Sequence, residues 1–363
     1  MKSRSNYPLK FNPDSKIIQE DLQSVYANPL PWKDLAGKHV VITGATGMLA
    51  AYIAEVLAAY SEYCPTASPV RITLLVRDVE KARFRFARYS ERKTLRFVQC
   101  DLSAPLPDLD PCHYIVHGAS IPNPDLKIPV AVLAPNVLGT WNLLEYARRS
   151  PDFEQFLYLS SGSVYGEGMD PSVPQKEDVY YSVPSFSVKS CYAEGKRAGE
   201  AICAAFSAQY GIACKILRYV HTFGPGMDLD RDKRSFSAFV RNILLNEDIV
   251  LRSDGSATRH FLYISDATSA FFYVLFKGLP DQAYNIAKEN NEMSILDLAE
   301  MMVSLYPEKN LKVVRDLSAL PKGYVPQNYI YLPDITRLKG LGFLPSISPK
   351  IGFQRTVESY IND

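Results

Sequence analysis

The sequence predicts an α/β protein built on a doubly wound parallel sheet, with a smaller C-terminal α/β part. Between residues 38 and 220, apolar stretches that are typical of strands alternate with stretches of helical period, as in VVIT followed by MLAAYIAEVL. The strand stretches are apolar throughout, which is typical of parallel strands that helices cover on both faces. These two observations together indicate a layered arrangement of helices, sheet and helices.

Composition divides the chain into three parts. Residues 1–35 are polar, contain four prolines and include one amphipathic stretch, SKIIQEDLQSVYA, so we expect an extension that lies on the main domain. Residues 36–220 carry six predicted strands and form the main domain. Residues 221–363 are expected to form mainly a substrate-binding part over the carboxyl edge of the sheet, and a strand near 282–287 is expected to return to that sheet.

Charge and hydropathy argue against two classes of partner. The 363 residues include 40 basic and 39 acidic side chains, so the formal net charge is only +1. This balance gives no general electrostatic attraction to nucleic acid or to an anionic membrane. The first residues lack the apolar core of a secretory signal, and no apolar run approaches the roughly 18 residues that cross a bilayer. We therefore expect a cytoplasmic protein with no membrane partner.

Cysteine usage indicates neither a metal site nor a disulfide framework. None of the six cysteines forms a CxxC pair, and no cluster of cysteine and histidine has the spacing of a zinc site. Buried reduced thiols are favoured over disulfides, because several cysteines stand in apolar runs such as FVQCDL and AICAAF. The sequence therefore predicts no bound metal.

A glycine turn follows the first predicted strand. VVITGATGMLAAYIAEVL places Gly44, Gly47 and Ala50 at the spacing GxxGxxA between a strand and a helix. Small residues there allow the backbone to approach a pyrophosphate, and the start of the helix offers free N–H groups to the phosphates. Since the motif lies in the first strand–helix–strand unit, it predicts a dinucleotide site in a Rossmann-type sheet rather than a purely structural turn.

The residues that end the second and third strands bear on which dinucleotide binds. Arg77 stands where a carboxylate would hydrogen-bond the ribose of NAD, and an arginine there attracts the 2′-phosphate of NADP. Asp78 follows directly and keeps NAD open. Asp101 ends the third strand and is placed either to accept from the adenine amino group or to lie in solvent. The cofactor is therefore expected to be NAD or NADP.

Four tyrosine–lysine pairs occur at a spacing of four residues, and context distinguishes one of them. Only Tyr192 and Lys196 begin a predicted helix directly after a strand that ends in serines, SSGSVYG. The carboxyl ends of such strands line the ligand crevice, so Ser161 points towards the start of this helix. The alternative is a surface contact between two residues on one helix face. The four pairs are Tyr89/Lys93, Tyr192/Lys196, Tyr273/Lys277 and Tyr284/Lys288.

These motifs together resemble the extended short-chain dehydrogenase/reductase family, the nucleotide-sugar epimerases and dehydratases. The resemblance covers residues 38–360 and includes TGATGMLA, CDL, HGAS, LSSGSVYG, YAEGK, LRYVHTFGPG and LPDITRLKGLGF. It implies that Tyr192 is the acid/base, that Lys196 holds the nicotinamide ribose and that Ser161 binds the sugar hydroxyl. The cofactor-binding residues that it implies are Gly44, Thr46, Gly47, Met48, Leu49, Arg77, Asp78, Asp101, Leu102, Gly118, Ala119, Ser120, Asn136, Tyr192, Lys196 and Tyr219.

Chemistry supports this assignment. A free phenol has a pKa near 10 and is a poor base at neutral pH. The positive charges of Lys196 and of a nicotinium ring are expected to favour the phenolate of Tyr192. Ser161 would orient the substrate hydroxyl and share its proton.

Two departures from the family pattern narrow the reaction. The 4,6-dehydratases carry an Asp–Glu pair directly after the strand-end Ser or Thr, whereas this chain has Gly162 and Ser163. Neither residue can act as a carboxylic acid, so dehydration is disfavoured. UDP-glucuronate decarboxylases usually keep a glutamate where Ser163 stands, which weakens that alternative as well. The leading hypothesis is 4-epimerisation with a retained cofactor; reduction of a 4-keto sugar, decarboxylation and a non-catalytic NADP-sensing regulator are the alternatives.

The resemblance also implies a nucleotide-diphosphate sugar as the substrate. Its expected contacts are Ser161 and Ser163, His221 in place of the usual asparagine, and Arg259, whose guanidinium suits a diphosphate. His221 titrates near neutral pH in its unperturbed state and is expected either to contact the substrate or to be a packed ring. Arg259 would otherwise be a surface arginine. Arg231 and Arg234 in the preceding loop are further candidates.

A homodimer is the expected assembly. In many members of the family, helices that correspond to residues 136–149 and 192–209 pair across a two-fold axis. The apolar stretches NVLGTWNLLEYA and AGEAICAAF fit this arrangement and fit ordinary core faces equally well.

Overall fold

A sheet of seven parallel strands forms the centre of the protein. The computed structural model describes residues 11–121, 128–167, 169–170, 172–318 and 331–361. Numbered in chain order, the strands of this sheet are β1 (His39–Thr43), β2 (Arg71–Val76), β3 (Leu95–Gln99), β4 (Tyr114–His117), β5 (Gln155–Ser161), β6 (Cys214–Tyr219) and β10 (Gln282–Ile286). Their spatial order is β10-β6-β5-β4-β1-β2-β3, and every neighbouring pair is parallel.

Burial on both faces confirms the prediction of a doubly wound α/β fold. All five residues of β1 are buried, and Val40 and Ile42 face one apolar core while Val41 faces the other. The order of the strands reverses between β1 and β4, so the connections that leave these two strands diverge at the carboxyl edge. A crevice opens at such a point in doubly wound sheets.

Helices cover the two faces of the sheet. α2 (Met48–Tyr63) and α7 (Ile264–Lys277) lie on one face, and α1 (Lys16–Tyr26) packs outside against both of them. α4 (Pro129–Ala147) and α5 (Cys191–Tyr210) pack side by side on the other face. Within the described ranges, no helix has the length and apolar character needed to cross a membrane.

A smaller α/β part follows the sixth strand and stands over the carboxyl edge. It contains a three-stranded sheet of β7 (His221–Phe223), β9 (Thr258–Tyr263) and β11 (Glu292–Ser294), and a pair formed by β8 (Ile249–Leu251) and β12 (Val313–Arg315). The chain returns from this part to the main sheet, because α7 packs on one face of that sheet and β10 pairs in parallel with β6. The remaining helices are α3 (Val79–Arg85), beside β3, and α6 (Ser235–Leu245), α8 (Ile295–Ser304), α9 (Thr336–Gly340) and α10 (Pro349–Glu358).

The N-terminal segment is attached to the main domain by a buried carboxylate. The amphipathic helix expected there is observed as α1, while residues 1–10 lie outside the described residues. Asp21 of α1 accepts hydrogen bonds from Tyr263 Oη at 2.8 Å, Tyr52 Oη at 3.2 Å and a guanidinium nitrogen of Arg355 at 2.8 Å. One side chain thereby links α1 to α2, β9 and α10.

The close approach of α5 to β5 depends on a residue without a side chain. A Cβ atom at Gly199 would lie 2.2 Å from the hydroxyl oxygen of Tyr158 in β5. Tyr158 is fully buried between the sheet and the two helices, so its ring has no room to move aside. Glycine at 199 therefore sets the distance between α5 and the strand beneath it.

Gly199→Ala is expected to lower the free energy of unfolding by about 2 kcal/mol, because the added methyl group overpacks the contact with Tyr158. Alanine normally stabilises a helix relative to glycine, so a loss of stability would indicate that overpacking outweighs helix propensity. Urea denaturation followed by circular dichroism measures it.

Gly340→Ala is the matched control. Gly340 is also helical, and a Cβ atom there meets nothing within 4 Å. We expect this variant to be as stable as the wild type or slightly more stable. Equal destabilisation by the two variants would contradict the packing argument.

Candidate active site

A large cavity opens at the carboxyl edge of the sheet, where the strand order reverses. Its volume is about 1260 Å³, which exceeds the roughly 300–1,000 Å³ of a typical small-molecule pocket. Its walls come from the turn after β1, the ends of β2 to β6, the start of α5 and residues of the smaller α/β part. The cavity thus has room for two ligands side by side.

Most of the residues expected from the sequence line this one cavity. Those expected to contact the cofactor are Gly44, Thr46, Gly47, Met48, Leu49, Arg77, Asp101, Leu102, Gly118, Ala119, Ser120, Tyr192, Lys196 and Tyr219. Those expected to contact the substrate are Ser161, Ser163, His221 and Arg259, and the other loop candidates are Arg231 and Arg234. The fold therefore brings together residues that are up to 215 positions apart in the chain, from Gly44 to Arg259.

Two expected cofactor residues do not line the cavity. The carboxylate of Asp78 accepts the backbone N–H of Lys81 at 2.9 Å and caps the start of α3. Asn136 is fully buried; its Nδ2 donates to the carbonyl of Val132 at 2.8 Å and its Oδ1 accepts from Tyr158 Oη at 3.4 Å. In the structure these side chains stabilise the protein's own helices, and a contact of either residue with the cofactor stays a prediction.

The turn after β1 forms a cradle that only glycine permits. Gly44 has a φ of +77°, and a Cβ atom on it would lie 2.5 Å from the carbonyl carbon of Gly118. The N–H of Gly47 donates to the carbonyl of Gly44 at 2.9 Å, and α2 begins directly after it. Free N–H groups at the start of a long helix, beside an open backbone, fit the pyrophosphate of a dinucleotide.

Charged side chains line the part of the cavity that lies beyond β2 and β3. Arg77 follows β2 and is exposed. The carboxylate of Asp101 accepts from the backbone N–H of Ser103 at 3.0 Å and from its hydroxyl at 2.7 Å, and these bonds lower the pKa of Asp101. Lys81 of α3 forms an ion pair of 3.0 Å with Asp228 across this end.

The serine and tyrosine of the expected catalytic group lie at the end of β5 and at the start of α5. The strand ends at Ser161, and residues 162–165 form a 3₁₀ turn instead of continuing the strand that the sequence predicts. The Ser161 hydroxyl accepts the backbone N–H of Ser163 at 3.2 Å, which caps this turn. Tyr192, in the first turn of α5, lines the same cavity as Ser161, and the Ser161 side chain acts to lower the pKa of the Tyr192 phenol. One turn further along α5, Lys196 Nζ donates to the carbonyl of Leu159 at 2.7 Å.

Burial dominates the electrostatics of this group. It raises the pKa of the Tyr192 phenol, while the side chain of Ser161 and the positive charge of Arg234 act in the opposite direction. Burial lowers the pKa of Lys196 to about 7, and the nearby charge of Glu200 opposes this shift. Sequence reasoning did not connect Arg234 with the phenol, and the role expected of Lys196 stays a prediction.

A buried polar network supports the site from below. Ser160 donates to Glu200 at 2.5 Å, and Arg218 donates to Glu200 at 2.6 Å and to Tyr165 Oη at 3.1 Å. The Tyr165 hydroxyl in turn donates to Oδ1 of Asn285 in β10 at 2.7 Å. Since Arg218 is only 1% exposed, its charge depends on the carboxylate of Glu200 for compensation.

Arginines and a neutral histidine line the part of the cavity that comes from the smaller α/β part. Burial, together with the charges of Arg259 and Arg234, lowers the pKa of His221 to about 3, so the ring is uncharged at neutral pH. Arg234 is paired with Asp232 at 2.6 Å. Among the described residues, the side chain of Arg259 makes a hydrogen bond only to the carbonyl of Thr258, at 2.8 Å.

Sequence reasoning did not single out several polar residues of the cavity wall, among them Lys81, Asp228, His260 and Tyr331. Lys81 and Asp228 are brought together by folding across 147 residues, and Tyr331 arrives from the C-terminal segment. Within the described part of the chain, no group of three or more histidine, cysteine, aspartate or glutamate residues could hold a metal ion.

The fold and the cavity define a class, the dinucleotide-binding α/β proteins. Comparison then identifies the family: the chain belongs to the NAD dependent epimerase/dehydratase family, whose model matches residues 40–287, and it is therefore a member of a family of enzymes. This confirms the family that the motifs indicated.

Several relatives share part of the sequence. UDP-glucuronic acid decarboxylase 5 of Arabidopsis thaliana is 32% identical over 235 residues, which is 64% of this chain and 64% of that protein. The chain thus spans just under two thirds of the length of this relative. The dTDP-D-glucose 4,6-dehydratase of Bos taurus is 27% identical over 336 residues, which is 90% of each chain.

Solved structures of two epimerases share the fold. The UDP-glucuronic acid 4-epimerase from Bacillus cereus, in complex with UDP-glucuronic acid and NAD, superposes with a TM-score of 0.71 at 22% identity, over 89% of this chain and 99% of that one. The UDP-N-acetylglucosamine 4-epimerase from Methanobrevibacter ruminantium gives a TM-score of 0.73 at 23% identity, over 89% of this chain and 98% of that one.

The imidazole of His221 is expected to stay neutral between pH 5 and pH 8, because burial and two arginine charges hold its pKa at about 3. Below the unfolded pKa of about 6.5, the unfolded chain binds a proton that the folded ring does not, so this group favours unfolding as the pH falls. NMR of histidine-labelled protein measures the titration, and His221→Asn assigns the signal. A His221 signal that titrates near pH 6.5 in the folded protein would refute this.

Proposed function

We propose that this enzyme is a nucleotide-sugar 4-epimerase that acts through a transient 4-keto sugar and a retained NAD or NADP. The observation that carries the proposal is the placement of Ser161, Tyr192 and Lys196 on the wall of one cavity, which has room for a second ligand beside a dinucleotide. A hydroxyl and a phenol on one wall can together hold and deprotonate one substrate hydroxyl.

The dinucleotide fits the turn after β1. Gly44 and Gly47 would receive its pyrophosphate, and Lys196 would hold the ribose next to the nicotinamide. When bound, the dinucleotide accepts a hydride from the sugar carbon and returns it, so that no net oxidation results. Arg77 lines the cavity, whereas the carboxylate of Asp78 caps α3. An arginine without a neighbouring free carboxylate favours NADP, whose 2′-phosphate it can bind. The name of the family model, which mentions NAD, supports NAD instead.

The proton chemistry falls to Tyr192 and Ser161. Burial favours the protonated phenol, so Tyr192 needs nearby positive charge to act as a base. Arg234 supplies part of that charge, and protonated Lys196 would supply more. Ser161 would orient the C4 hydroxyl and relay its proton to the phenolate. The same proton returns to the oxygen when the keto sugar, turned in the cavity, is reduced on its other face.

The residues next to Ser161 argue against chemistry at a second carbon. Gly162 and Ser163 line the cavity, and neither offers a carboxylic acid that could remove or donate a proton at C5 or C6. Dehydration is therefore disfavoured. Decarboxylation needs less proton transfer and remains the second candidate, because the 32% identical relative is a UDP-glucuronic acid decarboxylase. Reduction of a keto sugar is a further candidate, because it would use the same residues, Ser161, Tyr192 and Lys196.

Positive side chains suit the diphosphate of the substrate. Arg259 lies on the cavity wall, and burial lowers its pKa without removing its charge. A bidentate guanidinium fits phosphate oxygens well. Neutral His221 can contact a sugar or phosphate oxygen through a ring N–H. We infer that these residues hold the nucleotide-diphosphate part of the substrate.

We also infer a homodimer through α4 and α5. The two helices pack side by side, and the ring of Trp141 in α4 meets Phe206 of α5 edge to face at 5.0 Å. Trp141 and Leu138 nevertheless remain about half exposed, at 51% and 49%. Large apolar side chains exposed along one helix pair suit an interface with a second copy of this chain.

Incubation with a panel of UDP-, dTDP-, CDP- and GDP-hexoses, followed by NMR, tests the reaction. We expect one sugar to form its 4-epimer without loss of water or CO₂. Tyr192→Phe is expected to lower kcat about 1,000-fold while the dinucleotide stays bound, because only the proton acceptor is lost. Denaturing the wild type and analysing the released dinucleotide distinguishes NAD from NADP.

Tyr210→Phe, at the exposed end of the same helix, is the matched control and should keep wild-type activity. Release of CO₂ would favour the decarboxylase, and net oxidation or reduction would favour the reductase. Conversion of no hexose in the panel would refute the proposed reaction. Full activity of Tyr192→Phe would refute the role of the phenol, as the non-catalytic regulator predicts.

Trp141→Glu is expected to convert the dimer to a monomer, because it places a charge in the apolar contact. Leu279→Glu, an exposed apolar position away from α4 and α5, should leave the dimer intact. Size-exclusion chromatography with light scattering measures both. A monomeric wild type, or a dimeric Trp141→Glu, would contradict the inferred interface.

A further inference from the structure

Arg85, the last residue of α3, is buried where three distant segments of the chain meet. Its side chain is only 8% exposed, and its Nε lies 3.0 Å from a carboxylate oxygen of Glu55 in α2. The ring of Phe11 covers the guanidinium, whose carbon lies 3.9 Å from the ring centroid. A charge so far removed from water depends on such contacts to compensate its lost hydration.

The third neighbour of Arg85 is the turn at Gly226, between β7 and α6. Gly226 has a φ of +85°, and a Cβ atom on it would lie 2.0 Å from Nη1 of Arg85. The guanidinium therefore packs directly on the backbone of this turn, which glycine alone permits. The next carbonyl, of Met227, accepts a hydrogen bond from the hydroxyl of Tyr360 at 2.6 Å. Side chains of two distant segments thus hold the turn.

The loop that follows this turn forms part of the cavity wall. Three of its charged residues line the cavity, namely Asp228, Arg231 and Arg234. The carbonyl of Asp228 accepts the N–H of Asp232 at 2.8 Å, and the carboxylate of Asp232 accepts the N–H of Arg234 at 3.0 Å. Because these bonds join the loop into one unit, a displacement at Gly226 would reach Arg234.

α3 contacts the same loop at a second point. Lys81, one helical turn before Arg85, forms its ion pair of 3.0 Å with Asp228. The two side chains of this pair are 40% and 41% exposed, and exposed ion pairs contribute little. The buried contact of Arg85 with Gly226 is therefore the stronger link between α3 and the loop.

The N-terminal segment covers this arrangement from the outside. The family model begins at residue 40, so Phe11 belongs to a part of the chain that the model does not match. The ring of Phe11 also meets the ring of Tyr360 edge to face, with centroids 6.5 Å apart. It thus contacts both side chains that hold the turn at Gly226, and it shields the pair of Arg85 and Glu55 from water.

We propose that Arg85 is a positioning residue of the substrate subsite. Held by Glu55, its guanidinium fixes the turn at Gly226 and so the place of the loop that brings Arg234 to the cavity. Phe11 gives the N-terminal segment a part in this role. The inference rests on the proposed function, in which the loop borders the nucleotide sugar and the charge of Arg234 acts on the catalytic phenol.

Hydrogen exchange of backbone amides, measured by mass spectrometry, tests the inference without substrate. Arg85→Met is expected to raise the exchange rates within residues 226–234 about tenfold, because the turn loses its support. Phe11→Ala should give a smaller increase in the same loop. Arg83→Met is the matched control: Arg83 lies in the same helix, its side chain is 65% exposed, and the loop should stay unchanged.

A second set of variants separates positioning from stability. Glu55→Gln leaves the guanidinium without its carboxylate but keeps an oxygen beside it, so we expect a lower urea midpoint and loop exchange within about twofold of the wild type. Arg85→Lys retains a charge next to Glu55 and should fold where Arg85→Met does not. It lacks the planar group that packs on Gly226, so exchange in the loop should still rise.

Kinetics connect the loop with the substrate. With the hexose derivative that the wild type converts, Arg85→Met is expected to raise KM about tenfold and to lower kcat less, because the loop is misplaced while Ser161, Tyr192 and Lys196 stay on other elements. Arg83→Met should keep the wild-type KM.

Three outcomes would overturn the inference. Unchanged exchange within 226–234 in Arg85→Met and Arg85→Lys would show that the loop does not depend on the guanidinium. An equal rise in Glu55→Gln, spread over the whole chain, would make Arg85 a structural residue only. An active wild type and an unchanged KM in Arg85→Met would refute this inference alone. A wild type that converts no hexose would refute the proposed function, and the exchange rates would then decide on the positioning of the loop by themselves.

Discussion

The approach of α5 to β5 is the constraint on which the site depends. Gly199 has no side chain, so the helix lies against the ring of Tyr158 at a distance that a Cβ atom would forbid. At that distance, Lys196 reaches the backbone carbonyl of Leu159, and Tyr192 lines the same cavity as Ser161. The geometry of the proposed catalytic group is thus set by the packing of a helix on a strand, which holds side chains more firmly than a loop would.

One residue of β10, Asn285, contacts both the polar network below the site and an aromatic ring of the cavity wall beside it. Its Oδ1 accepts hydrogen bonds from the hydroxyls of Tyr165 and Tyr331. Tyr165 belongs to the network of Glu200 and Arg218, and the ring of Tyr331 lies over Gly162. A buried ion pair is costly to desolvate and tolerates little distortion once it is hydrogen-bonded. Asn285 in the last strand of the sheet therefore connects the polar network below Ser161 with the ring of Tyr331.

Burial gives this site an unusual balance of charge. It favours the neutral forms of Tyr192, Lys196 and His221, since charged groups lose hydration energy away from water. The arginines keep their positive charge, and the charge of Arg234 lowers the pKa of the Tyr192 phenol. A ligand that brings positive charge, or that restores the charge of Lys196, would shift the phenol towards its reactive form.

The sequence by itself determined the layered fold and the glycine turn, because strand periodicity and local motifs carry that information within a few residues. It also predicted Ser161, Tyr192 and Lys196 as a catalytic group. It predicted Asp78 and Asn136 as cofactor contacts, and in the structure the side chains of both form hydrogen bonds that stabilise helices. Only the tertiary structure decided the charge state of the buried groups and the place of Tyr331. Both depend on which distant segments exclude water or meet across the cavity, and no local pattern encodes those contacts.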